Sequence, residues 1–170
     1  MNHAHGAVRG ARNNLDMPIP RAVAVVLDGP RALVIKRFLR HKSFDVCVMC
    51  ANSGQPGPQC PGHHYAVLPG GHVEQDETAE TAALRELREE TTLEAQIDRL
   101  RWTGMHHDRP AFYFLMKDVT GTPTLSGPEA QSNRPNDSYE LMWATANEFD
   151  GLNLHPADAR EQLASLIEHC

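Results

Sequence analysis

Glu86, Glu89 and Glu90 recur at helical spacing inside the run from Gly70 to Leu93. At about 100° per residue, the three carboxylates fall within an arc of only about 100°. Ala79, Ala82 and Ala83 lie in or beside that arc, and Leu87 borders it. Carboxylates are therefore aimed where a helix packs inward, although like charges one turn apart repel. Anions on a half-buried face are costly unless a cation neutralises them. An all-oxygen cluster suits a hard ion such as Mg²⁺ or Mn²⁺. The competing reading is a solvated acidic face.

The wider order of residues weighs against that reading. Gly71, five residues, Glu77, seven residues, Arg85-Glu86-Leu87, one residue, Glu89-Glu90, one residue and Thr92-Leu93 closely resemble the Nudix box. The chain departs from the box at one fixed position, Thr92 standing where the family has glycine. The resemblance implies an α/β fold, an α/β/α sandwich on a mixed β-sheet, and hydrolysis of a nucleoside diphosphate linked to another group. It also implies that Glu86, Glu89, Glu90 and the Gly70 carbonyl bind Mg²⁺ or Mn²⁺. Glu86, Glu89 and Arg85 are the catalytic residues it points to, with Glu86 or Glu89 taking the proton of the attacking water. Arg85 matches an arginine that orients carboxylates, and Glu77 matches its structural partner. A planar guanidinium can fork onto a carboxylate and fix its direction. The family glycine ends the helix in a left-handed conformation that a β-branched residue adopts poorly. An altered helix exit is expected at Thr92, with no carboxylate lost.

At 170 residues with 41% hydrophobic content, one compact domain over 18–170 is expected, carrying an insertion at 40–63. Residues 1–17 read as a disordered leader, polar and without the apolar core of a signal peptide. His3 and His5 within it are adventitious metal binders at most. The net charge of −6 argues against a nucleic-acid polymer as partner. No apolar run is long enough to span a membrane, and a cytoplasmic location is the default. A monomer or a homodimer is compatible with everything above. Strands are predicted near Arg21–Leu27, Ala32–Phe38, Tyr65–Leu68, Glu94–Thr103, Ala111–Val119 and Glu140–Ala144. Helices are predicted over Thr78–Thr91 and Pro156–Glu168, with Pro156 in the first turn. The segments Arg40–Gly62 and Gly121–Asp137 read as irregular.

Cys47-x2-Cys50 and Cys60-x2-His63 have the spacing of a Cys₃His zinc site, with His64 as an alternative fourth ligand. The Gly-, Pro- and Ser-rich stretch between them has little to bury, and a structural Zn²⁺ would pin it. The alternative is an insertion loop with free thiols in a reducing compartment. Cys170 is terminal and is assigned no role.

Lys36 or Arg37, at the end of the second strand, is a candidate contact for substrate phosphates. Asp137 and Glu140 are candidates for a late-loop acidic residue that binds metal or substrate. Trp143 reads as core, and His106 and His107 as solvent-exposed. No subfamily marker is clean, so a nucleoside triphosphate, oxidised forms included, is the substrate expected by elimination. Its products would be a monophosphate and pyrophosphate. ADP-ribose or another nucleoside diphosphate derivative is the alternative. An inactive nucleotide-sensing or zinc-organised interaction domain is the reading from another class.

Overall fold

The computed structural model describes residues 18–53 and 57–169. The expected leader at 1–17, with His3 and His5, and Cys170 lie outside them. The chain begins with β1 (Arg21–Val25), β2 (Leu27–Asp28) and β3 (Arg31–Leu39). A short helix α1 (Val48–Ser53) precedes β4 (His63–Val67), β5 (Gly70–His72) and the long helix α2 (Ala79–Thr91). Two long strands follow, β6 (Glu94–His106) and β7 (Arg109–Thr120), then α3 (Gly127–Gln131) and β8 (Asp137–Thr145). A 3₁₀ turn (Ala146–Glu148), β9 (Leu154–His155) and α4 (Asp158–Glu168) complete the described fold.

The layering follows from β1, which is apolar on both faces. Ala22, Ala24 and Val26 join a cluster with Ala82, Ala83 and Leu87 of α2. Val23 and Val25 point the other way, into a cluster with Leu163 and Leu166 of α4. A strand with two apolar faces needs cover on both, and alternation sends its residues to each in turn. β1 runs parallel to β7 and antiparallel to β5, giving the order β5-β1-β7-β6. In the second sheet β3 lies between β4 and β8, antiparallel to both, and β9 joins β4 in parallel. The result is the expected α/β/α sandwich with mixed sheets. Among the described residues no helix is long and apolar enough to cross a membrane.

Helix α2 starts at Thr78, whose hydroxyl accepts the Thr81 amide at 3.2 Å, a side-chain cap. At the other end the expected altered exit does not occur. Thr92 itself takes the left-handed conformation, φ 61° and ψ 6°, with its amide on the Arg88 carbonyl. Tertiary contacts hold it there. The Thr92 hydroxyl donates to the Thr122 carbonyl at 3.2 Å. The Thr124 and Ser126 amides reach the Thr91 and Glu90 carbonyls at 2.9 and 3.0 Å, and the Ser126 hydroxyl donates to Glu89 O. These bonds satisfy carbonyls that a helix end leaves orphaned. They also carry α3 onto the end of α2.

Two further expectations need correction. The segments read as irregular each contain one short helix, α1 and α3, too brief to leave a 3.6-residue pattern. Pro156 lies ahead of α4 instead of within its first turn, and its carbonyl accepts the Ala159 amide at 3.1 Å.

Leu87 is fully buried between α2 and β1. Leu87→Ala is expected to cost about 2–5 kcal/mol in urea unfolding, the range for deleting a buried leucine side chain. A loss below about 1 kcal/mol would contradict the docking of this helix face.

Candidate active site and a cysteine–histidine cluster

The acidic face of α2 is graded in exposure. Glu90 is buried, the Glu86 side chain is 16% exposed and that of Glu89 is 48% exposed. Arg85 fastens the set. Its Nε and Nη2 each donate to Glu77 at 3.0 Å, Nη1 donates to Glu86 at 2.8 Å and to Glu89 at 3.2 Å. Nη2 also reaches the His72 carbonyl at 3.0 Å, tying α2 to β5. The Arg85 hydrogen bond holds Glu77 below the usual carboxylate range, and Glu77 in turn keeps Arg85 firmly charged.

Glu90 has the opposite character. Burial pushes its carboxyl up to about 8, with the neighbouring Glu129 and Glu86 adding to the shift. The Gly70 amide, donating to Glu90 Oε2 at 2.8 Å, works against it. Two glycines make this approach possible. Gly70 has φ 155°, and a side chain there would run into the β1 backbone, 2.8 Å from Val23 Cα. A side chain on Gly71 would overlap the Glu86 carboxylate.

Glu86, Glu90 and Gly70 line a cavity of about 470 Å³ together with Arg21, Arg37 and Glu129. Glu89 stands at the more exposed end of the same face, outside the lining. The Gly70 carbonyl accepts Nη2 of Arg21. Of the four residues singled out on β3 and β8, only Arg37 reaches the cavity. Its Nε and Nη2 both lie 3.1 Å from Asp137 Oδ1, and its guanidinium stands 4.7 Å over the Tyr139 ring. Asp137 positions Arg37 without lining the cavity itself. Lys36 pairs with Glu140 at 3.6 Å, both side chains largely exposed. Alternation along β3 turns Lys36 away from the face that Arg37 uses.

Sequence reasoning missed several lining residues. Glu129, carried in on α3, has a buried Oε2 with no hydrogen-bond partner among the described residues. Its only signal was an acidic residue next to a proline in a loop. Tyr65 and Tyr139 carry no signal of their own in the sequence; His107 is exposed as expected, whereas His106 is less open to solvent. His106 is half-buried, and burial pulls its imidazole down to about 4, helped by Arg21. Trp143 packs against the α2-side core as expected.

The four residues of the insertion converge. Cys47, Cys50 and Cys60 are buried. His63 Nε2 lies 3.3 Å from Cys47 Sγ and 3.2 Å from Cys50 Sγ, and the Cys60 and Cys47 sulfurs are 3.7 Å apart. All four donor atoms lie within 4.8 Å of one another. Tetrahedral zinc with ordinary Zn–S and Zn–N bonds sets edges of about 3.5–3.8 Å, close to these separations. Neighbouring strand residues face opposite ways, so His64 cannot share the cluster, and its ring lies on Phe38 at 4.6 Å.

A second cavity of about 820 Å³ adjoins the first. Tyr65, Val67, His106 and His107 line both.

An α/β/α sandwich with this carboxylate-bearing helix between two loops defines the class of molecule. The model of the NUDIX domain matches residues 18–169, and the chain belongs to the Nudix family. A comparison with curated proteins returned no match. Solved structures share the fold at low identity. A NUDIX hydrolase from Nitrosomonas europaea is 17% identical, with TM-score 0.61, over 92% of this chain and 73% of its own. An ADP-ribose pyrophosphatase from Streptococcus suis is 15% identical, with TM-score 0.57, over 90% and 92%. A MutT NUDIX hydrolase from Burkholderia pseudomallei is 22% identical, with TM-score 0.53, over 78% and 86%. Nudix enzymes generally use divalent metals and act on small nucleotide substrates.

Gly71→Ala tests the geometry of the site apart from its stability. The added methyl displaces the flexible end of Glu86. Turnover is expected to fall at least about tenfold, the scale of a small misplacement. Unfolding free energy should stay within about 1 kcal/mol, because the displaced group can swing aside. Full activity in the variant would remove Glu86 from the reacting centre.

Proposed function

We propose that this protein is a metal-dependent hydrolase of the diphosphate linkage in a nucleotide. The observation that carries the proposal is the cavity in which Glu86, Glu90 and a Glu129 oxygen without a hydrogen-bond partner among the described residues meet Arg21 and Arg37. Buried carboxylates without a cation are unfavourable, and an all-oxygen donor set fits Mg²⁺ or Mn²⁺. Glu86, Glu90 and Glu129 would hold such ions, with Glu89 and the Gly70 carbonyl as the further ligands expected from the box. When bound, the metal neutralises phosphate charge and acidifies water.

The remaining steps belong to the chain. Arg85 fixes the directions of Glu86 and Glu89. Arg37, held by Asp137 through Nε and Nη2, lines the cavity as a cation suited to a phosphate. A cation on the Gly70 carbonyl would repel the Arg21 guanidinium now bonded there and turn it toward the same anion. Water attacking phosphorus needs a proton acceptor. Glu86 or Glu89 fills that role, and Glu129 is a third carboxylate within the cavity.

A nucleoside triphosphate, cleaved to a monophosphate and pyrophosphate, is the simplest substrate. A nucleoside diphosphate derivative such as ADP-ribose is the second reading, favoured by the adjoining cavity. The Cys47/Cys50/Cys60/His63 cluster, with a closed ligand set and no carboxylate, suits structural zinc and no part of the reaction.

Hydrolysis should be measured on triphosphates, oxidised triphosphates, ADP-ribose, nucleotide sugars and dinucleotides. Chelation with EDTA is expected to abolish turnover, and Mg²⁺ or Mn²⁺ to restore it. Glu89→Gln is expected to lower kcat at least about 10²-fold, the scale of a lost charge stabiliser. Nucleotide binding with no turnover of any substrate would point instead to a sensing domain.

A further inference from the structure

We propose that the second cavity is a subsite for an uncharged planar group carried on the far phosphate of the substrate. Its outer wall is built by the zinc-type cluster of the insertion. The proposal rests on the hydrolase reading and, of its two substrate readings, takes the nucleoside diphosphate derivative and narrows it to a dinucleotide-like class.

Position comes first. Tyr65, Val67, His106 and His107 are common walls, so the two cavities form one continuous groove. A diphosphate lying at Glu86 and Glu90 would send its second substituent along that groove. The two halves differ in chemistry. Arginines and glutamates line the first, whereas no Lys, Arg, Asp or Glu lines the second among the described residues. Imidazoles, aliphatic side chains and the amides of Asn52 and Asn153 form most of it instead. Phosphates meet no Lys or Arg there, so the arginine-lined first cavity is the better place for them. The Tyr65 ring and the valines beside it suit a flat, uncharged ring, and burial favours the neutral form of the His106 imidazole. At about 820 Å³ the space falls within the range of small-molecule sites.

The insertion supplies the outer wall. Val46 and Val48 flank Cys47 and line the cavity, with 61% and 70% of their surfaces exposed. Apolar side chains held open beside a groove gain most when a ligand covers them. Helix α1 has only six residues and cannot hold this wall alone. What holds it is the cluster. His63 lies in β4 two residues before the shared Tyr65; the Cys47 and Cys50 sulfurs lie at its ring nitrogen and the Cys60 sulfur beside that of Cys47, with Phe44 and Met49 packed around them. A zinc ion there would set the distance between the wall and the strand.

The test compares ATP with diadenosine diphosphate, which has the same nucleoside but a second adenine, on the full chain. Val48→Glu puts a charge into the apolar wall at an exposed position, where folding is not at stake. The ratio of KM for diadenosine diphosphate to KM for ATP is expected to rise at least about tenfold. Cys60→Ser, at a residue outside the cavity lining, should move the same ratio in the same direction and lower zinc content below the expected one ion per chain. A ratio unchanged in Val48→Glu and Val46→Glu would overturn the subsite. Wild-type protein purified without zinc would overturn the metal-set wall. If no nucleotide is turned over, calorimetric binding of the same pair to wild type and Val48→Glu tests the subsite by itself. Selective loss of diadenosine diphosphate binding would retain the subsite while removing the hydrolase reading. Turnover without selectivity would do the reverse.

Discussion

The hydrogen bond from the Gly70 amide to the buried Glu90 carboxylate joins the two halves of the candidate site. It ties the strand edge at β5 to the last turn of α2, and Arg85, earlier on the same helix, binds the His72 carbonyl of β5. A carboxylate in this position is costly by itself, as the upward displacement of Glu90 to about 8 records. Glu86 and Glu129 raise the cost further by adding like charge. The neighbouring glycines keep side chains out of the space that remains. An arrangement so unfavourable to itself is well suited to a dication and poorly suited to standing alone.

The end of α2 governs what else reaches that space. Bonds from Thr124 and Ser126 close the carbonyls of the last turn and bring α3 alongside. Glu129 arrives with it. The helix exit at Thr92 is therefore more than a stop signal, because its conformation sets where the 122–126 loop returns. Threonine holds the left-handed geometry through the Thr122 contact, at a position where glycine would adopt it freely.

Much of this was legible in the residues. The Glu86, Glu89 and Glu90 spacing pointed to the helix and its acidic face, the resemblance to the box implied the sandwich, and the first strand was expected at Arg21–Leu27, where β1 lies. The Cys47, Cys50, Cys60 and His63 spacing anticipated a convergence that the structure contains. Thr92 was misjudged because local preference gave way to tertiary hydrogen bonds. Glu129 was invisible because a five-residue helix leaves no periodic trace. Asp137 and Glu140 stood out as acidic residues of the late segment, yet each has a basic partner across the strand pair, Arg37 and Lys36. His106 was undervalued because burial at a groove depends on chain segments distant in sequence. Donor softness separates the two proposed metals: carboxylate oxygens gather at α2, and thiolates with one imidazole gather in the insertion.

The central claim is that divalent cations occupy the Glu86–Glu90 cavity when a diphosphate is bound. Crystals grown with Mn²⁺ and a non-hydrolysable diphosphate analogue would test it by anomalous scattering. Manganese is expected about 2.1 Å from oxygens of Glu86 and Glu90, as hard-cation bond lengths require. The Arg21 guanidinium should then be off the Gly70 carbonyl and on a phosphate oxygen. Manganese found only at exposed carboxylates such as Glu140, with Arg21 still on Gly70, would contradict the claim.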